Sequence, residues 1–293
     1  MTTKSSSIII LVIILSMASL TVSCRQHRTP KSITFKRTTN IDSNQSEEEQ
    51  EGNNIVKQEY LYVTDSLFQI CIPAPLSNTS EQIIRRKAYV LSYNKNTKLP
   101  YWVAWHLTAE HTDGEYKRMN TYWEDNDVPS PRATDMDYQG SGMTHGHMCP
   151  AGDNKWDVEA MRESNILTNI CPQEGRLNTG LWNRIEQDCR VWARKYGDVF
   201  IVCGPVLFNR EHETIGKNKI VVPEAFFKVV LRMHPSPRAL GFIVRNNNGS
   251  KKRDQFVNSV DEVERITGID FFPSLPDSIE NVVESYANLE DWK

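Results

Sequence analysis

Short runs of aromatic and β-branched residues alternate with amphipathic helical segments from residue 60 to residue 286, and this interleaving restricts the fold more than any other feature of the chain. Tyr60 to Val63, Lys87 to Asn94 and Trp102 to Leu107 read as strands, the last two separated by the turn signal Asn94-Lys95-Asn96. Asp157 to Asn165 and Thr179 to Tyr196 read as helices. A strand from Asp198 to Cys203 and a pair near Phe226 to Met233 and Leu240 to Val244 come next, and helices over Ser259 to Thr267 and Asp277 to Tyr286 close the chain. The order predicts an α+β domain with a mixed, largely antiparallel central sheet flanked by helices. No internal repeat interrupts it, so residues 56–293 are expected to form one domain.

Ahead of that domain, Lys4 precedes the apolar run Ile8 to Leu15, and small residues from Ser16 to Ser23 lead to Cys24. This is the order of a secretory signal over residues 1–23. The run is shorter than the roughly 20 residues that span a bilayer core. Leu20-Thr21-Val22-Ser23-Cys24 resembles a bacterial lipobox, with Thr21 where Leu is usual. It predicts an exported protein held to the membrane by a lipid on Cys24, facing the periplasm or the cell surface. An ordinary signal cut nearby, leaving Cys24 a plain thiol, is the alternative. Residues 24–55 are polar, carry the acidic run Ser46 to Glu51, and read as a disordered tether.

The formal net charge of −3 lacks the basic excess of many nucleic-acid binders. Arg85-Arg86-Lys87 and Lys251-Lys252-Arg253 are the clusters expected to supply local basic surface. Of six cysteines, five remain if Cys24 is acylated, enough for at most two disulfides in an oxidising compartment. Cys189 and Cys203 also fit the commoner role of small buried apolar residues.

Candidate chemistry concentrates between Arg118 and Arg190. Gly140 to Pro150, reading GSGMTHGHMCP, sets His145 and His147 beside glycines that permit close approach of backbone or ligand. Downstream lie Asn169-Ile170-Cys171-Pro172-Gln173, then Leu177-Asn178 through Glu186, then Arg190. Asn178, Glu186 and Arg190 are spaced to project from one side of a helix, beside an apolar stripe of Leu181, Ile185, Cys189 and Trp192. An ordinary Glu186–Arg190 surface pair, worth only about 0.2–0.5 kcal/mol, is the alternative for those two.

Together these segments resemble the DNA/RNA non-specific endonuclease family, the ββα-metal (His-Me finger) nucleases. The likeness extends from Tyr89-Val90-Leu91-Ser92-Tyr93 and Trp102-Val103-Ala104 through Val202-Cys203-Gly204-Pro205 to Val260 to Phe272. It implies Mg²⁺-dependent hydrolysis of DNA and RNA phosphodiesters, with Mn²⁺ able to substitute, and products bearing 5′-phosphate and 3′-hydroxyl ends. By the resemblance His147 is the general base, Asn178 the metal-binding side chain, Glu186 the acceptor for metal-bound water and Arg190 a phosphate contact. Asn169 matches a supporting Asn, and Arg118, with Lys117 as competitor, matches an Arg that stabilises the transition state. Thr144-His145 stands where the family has Asp-Arg before Gly-His. His145 is then expected near the scissile phosphate, cationic only when protonated. Two other readings stay open at this point. One is a zinc site of His145, His147 and Cys149, which share a face if the segment is extended, and the other is a nucleic-acid-binding protein of the same fold without turnover.

Overall fold

Along the strand Leu99–Thr108, Val103, Trp105 and Leu107 enter one apolar core while Trp102 and Ala104 enter a second. A strand alternates its side chains between faces, so this sheet is covered on both. The computed structural model describes residues 69–77, 79–247 and 252–293. The expectations for residues 1–23, residues 24–55 and the strand Tyr60 to Val63 lie outside them.

The strands are β1 (Gln82–Arg85), β2 (Val90–Asn94), β3 (Leu99–Thr108), β4 (Thr144–His147), β5 (Ile170–Gln173), β6 (Asp198–Val206), β7 (Thr214–Ile215), β8 (Ile220–Val221), β9 (Ala225–Arg232), β10 (Arg238–Arg245) and β11 (Val257–Asn258). Seven of them form one sheet in the order β1-β2-β3-β6-β9-β10-β11, and β4 pairs with β5 apart from it. The fold is α+β as expected. The strand pairings are antiparallel throughout, and the parallel component shrinks to one bridge between Trp123 and Ile166. Short links such as those joining β1 to β2 and β9 to β10 favour this, since a parallel pair needs a long crossover.

Helix α1 (Val158–Ser164) starts at Asp157, whose carboxylate accepts hydrogen bonds from the amides of Glu159 and Ala160. The helix expected from Thr179 begins earlier and is not uniform. A short turn over Gly175–Leu177 runs into a π-helical turn over Asn178–Trp182 and then into α2 (Asn183–Tyr196). Leu181, Ile185, Cys189 and Trp192 bury against the sheet as their stripe predicts. On the opposite face, α3 (Val260–Thr267) and α4 (Asp277–Glu284) cover the second core with Val260, Val263 and Val283. No helix among the described residues is long and apolar enough to cross a membrane.

Packing bears on two further expectations. Cys71, Cys149, Cys171, Cys189 and Cys203 are all buried like small apolar side chains, and they form no disulfide among themselves. Three members of the basic clusters are paired with acids. Arg86 pairs with Asp125 and Asp127, each at 2.7 Å, Lys87 pairs with Asp157 at 2.7 Å, and Arg253 pairs with Asp188.

Candidate active site

Strands β4 and β5 bring His147 opposite Ile170 and Gly146 opposite Cys171. Glycine is required at 146, because a Cβ there would lie 2.6 Å from both Cβ and Oε1 of Gln173. The pair is tied at its end by Asn169, which accepts from the Cys149 amide at 2.9 Å and donates to the Cys149 and Ser164 carbonyls at 2.8 and 2.7 Å. Asn169 is thus fully buried and spends its amide on backbone. Those backbone partners leave its amide no reach into a cleft.

His147 is 6% exposed. Its Nε2 lies 2.8 Å from Oδ1 of Asn165, whose Nδ2 donates to the carbonyls of Met119 and Thr121 at 2.8 and 2.9 Å. Carbonyl oxygens only accept, so the Asn165 amide has one orientation and presents its oxygen to the imidazole. Nε2 therefore carries the proton and Nδ1 keeps its lone pair. Burial is the main cause that pushes the His147 pKa down to about 4, with the Asn165 hydrogen bond opposing it and Arg118 adding to it. The ring is neutral at physiological pH. In the metal-free protein, an NMR titration of the His147 ring is expected to show a midpoint near 4; a midpoint at the usual 6.5 or above contradicts this environment.

The same Asn165 holds the loop that carries Arg118. Arg118, His147, Lys155, Asn178, Glu186 and Arg190 line one cleft of about 440 Å³. Arg118 is exposed in its wall, and Lys117 is not among the lining residues. Arg190 donates to Oδ1 of Asp153 at 2.8 Å, and Asp153 also accepts from the Trp105 indole at 3.1 Å. Gly152 leaves room for this guanidinium, since a Cβ at 152 would meet its Nη1 at 2.8 Å.

Asn178 sits at the first residue of the π turn, an insertion that recurs at functional sites. Its Nδ2 donates to Thr144 Oγ1 at 2.9 Å and to the His145 carbonyl at 3.3 Å, which turns Oδ1 the other way. Thr144, the departure from the family's Asp, thus orients this amide. Glu186 is half-buried, and burial pushes its carboxyl up to about 7, opposed by the positive charges of Lys228 and Arg190. Lys228 is fully buried in β9, with Nζ 4.8 and 4.7 Å from the ring centres of Trp105 and Trp182. A neutral amide oxygen beside a carboxylate suits a hard divalent cation that keeps most of its waters.

His145 does not reach the cleft. Its ring is stacked between Tyr122 and Tyr138, at centroid separations of 3.8 and 4.0 Å, with Nε2 3.0 Å from Asp135 Oδ1. This corrects its expected place at the phosphate, since two aromatic faces claim the ring. The zinc reading fails as well. Cys149 Sγ accepts from Asn154 Nδ2 at 3.4 Å, and His145, His147 and Cys149 do not converge as a ligand set among the described residues.

Five of the residues named from sequence, Arg118, His147, Asn178, Glu186 and Arg190, share this cleft, while Asn165, Asp153, Lys155 and Lys228 were missed. Asn165 caps the C-terminus of α1 as many Asn residues do, so no local signal marks it.

Two paired strands followed by a π turn and a helix, with an imidazole on the strands, an amide on the turn and a carboxylate and a guanidinium along the helix, make a ββα site. The chain belongs to the DNA/RNA non-specific endonuclease family, whose model matches residues 68–278. It is 35% identical over 204 residues to the mitochondrial nuclease EXOG of Xenopus laevis, covering 64% of this chain and 57% of that protein. It is 32% identical over 209 residues to mitochondrial endonuclease G of Homo sapiens, covering 66% of this chain and 70% of that one. The crystal structure of an EndoG/EndoGI complex superposes with a TM-score of 0.64 at 26% identity, over 69% of this chain and 89% of that one. The chain spans less than two thirds of the length of the EXOG relatives it matches.

These comparisons overturn the expectation of an exported, lipid-anchored protein. The relatives just described are mitochondrial nucleases and not lipid-anchored exported proteins. Residues 1–24, on which that expectation rested, lie outside the described part of the chain.

Proposed function

We propose that the chain is a divalent-metal-dependent endonuclease that hydrolyses phosphodiester bonds of DNA and RNA with little sequence preference. The observation that carries this reading is the convergence of His147, Asn178, Glu186 and three cations in one cleft. Nδ1 of His147 is the proton acceptor, freed for that task by the Asn165 bond on the opposite nitrogen. It takes a proton from the attacking water. Arg118, Lys155 and Arg190 bind phosphoryl oxygens, which look the same at every nucleotide, and this is the basis of the weak sequence preference. Asn178 Oδ1 would hold Mg²⁺, with Mn²⁺ as substitute, and Glu186 would accept hydrogen bonds from the ion's water shell. When bound, the ion stabilises charge on the departing 3′ oxygen. Products carry 5′-phosphate and 3′-hydroxyl ends.

The nuclease relatives support turnover over a binding-only role, as does the shared cleft of His147, Asn178, Glu186 and Arg190. Incubating the purified protein with supercoiled plasmid and with RNA tests the reading. Cleavage of both with MgCl₂ and none with EDTA is expected; intact substrates in Mg²⁺ and in Mn²⁺ would overturn it.

A further prediction concerns Asn165. Asn165→Leu leaves the buried Nε2–H of His147 without an acceptor and frees the ring to change tautomer. A fall in kcat of roughly 10–100-fold with KM little changed is expected, the range typical of outer partners of a working imidazole. An unchanged kcat would remove Asn165 from the mechanism.

A further inference from the structure

On the face of the sheet opposite the cleft, three carboxylates meet where α3 approaches α4. Asp261 and Glu264 lie three residues apart on α3, one turn of the same helix face. Glu284 is the last residue of α4. One carboxylate oxygen from each lies within 4.8 Å of the others. Glu284 is 6% exposed, and its Oε1 is fully buried with no hydrogen-bond partner.

A buried carboxylate oxygen without a donor costs several kcal/mol if ionised, so something must compensate it. No Lys or Arg among the described residues forms an ion pair with Asp261, Glu264 or Glu284. The donor found is the Phe271 amide, which occupies Oε1 of Glu264 at 2.7 Å. Asp270 and Glu280 add more negative charge nearby. Without a counter-charge, burial and these neighbours push Glu284 up to about 9 and Glu264 up to about 7.

We propose that Asp261, Glu264 and Glu284 form a calcium site that clamps α3 to α4, separate from the catalytic cleft. The ligand chemistry decides the ion. Calcium accepts several carboxylate oxygens in flexible geometry at roughly 2.3–2.6 Å, so opposite ligands stand about 5 Å apart, whereas Mg²⁺ needs about 2.0–2.1 Å and near-octahedral order. The exposed position of Asp261 leaves the ion a route to solvent.

Equilibrium dialysis of the full chain against calcium chloride tests this, using Asn178→Ala to weaken metal binding in the cleft. One bound calcium per chain is expected in Asn178→Ala and none in Asn178→Ala with Glu284→Gln. In parallel, calcium should raise the thermal unfolding midpoint by several degrees over EDTA in the first protein and leave it unmoved in the second. Equal calcium binding by both proteins would overturn the proposal. So would a protein that binds no calcium and gains stability on Glu284→Gln, which would mean a neutral carboxylic acid at 284. Should Glu284→Gln not fold, the exposed Asp261→Asn takes its place, with calcium affinity expected to fall at least tenfold; unchanged affinity counts against the site.

Discussion

His147→Ala is expected to cleave plasmid DNA roughly 10²–10⁴-fold more slowly than wild type, the contribution usual for a positioned general base. The loss belongs to kcat, because the cations that bind phosphate, Arg118, Lys155 and Arg190, stand on other segments of the chain. DNA affinity should therefore stay close to that of wild type. The substitution also removes a buried ring and strands Oδ1 of Asn165, so thermal unfolding should show some destabilisation. Single-turnover cleavage together with fluorescence anisotropy separates the effects. A rate loss below about tenfold in a folded protein would place the base elsewhere.

Asn178→Ala is expected to raise the Mg²⁺ concentration for half-maximal cleavage by about 10–100-fold, the scale on which disturbed metal sites lose affinity. The alanine removes the amide oxygen and also releases Thr144 and the His145 carbonyl from the Nδ2 that joins them. Glu186 remains, so activity should recover in part at high Mg²⁺. Titrating cleavage with MgCl₂ reads this directly. An unchanged metal requirement would place the ion on other side chains.

The parts of the fold that sequence reveals are those whose burial is set locally. Every residue of β9 is buried, and its apolar run reads as a strand without knowledge of its neighbours. The stripe of α2 reads as a helix for the same reason. Strand β4 is different. Thr144-His145-Gly146-His147 has little intrinsic strand preference, and it is extended because Gly146 admits Gln173 of β5. The π turn at Asn178–Trp182 likewise leaves no mark in the spacing of Asn178, Glu186 and Arg190, yet all three line one cleft.

The placement of side chains in the cleft divides in the same way. His147, Asn178, Glu186 and Arg190 were legible because their types and order match a family pattern, whereas Asn165 and Asp153 act through partners distant in sequence. Lys228 escaped because a lysine within an apolar strand announces nothing until Trp105 and Trp182 flank it. His145 was misplaced because the sequence does not disclose that Tyr122 and Tyr138 enclose its ring. Arg86 and Lys87 looked like open basic surface because Asp125 and Asp157 lie far along the chain.

Anomalous diffraction from crystals soaked in MnCl₂ offers the sharpest check that a cation and an imidazole face one another across this groove. An ion bonded to the side-chain oxygen of Asn178, with the unprotonated nitrogen of His147 turned toward the space beside it, is the predicted result. Manganese bound away from Asn178, with the groove left to solvent, would contradict it.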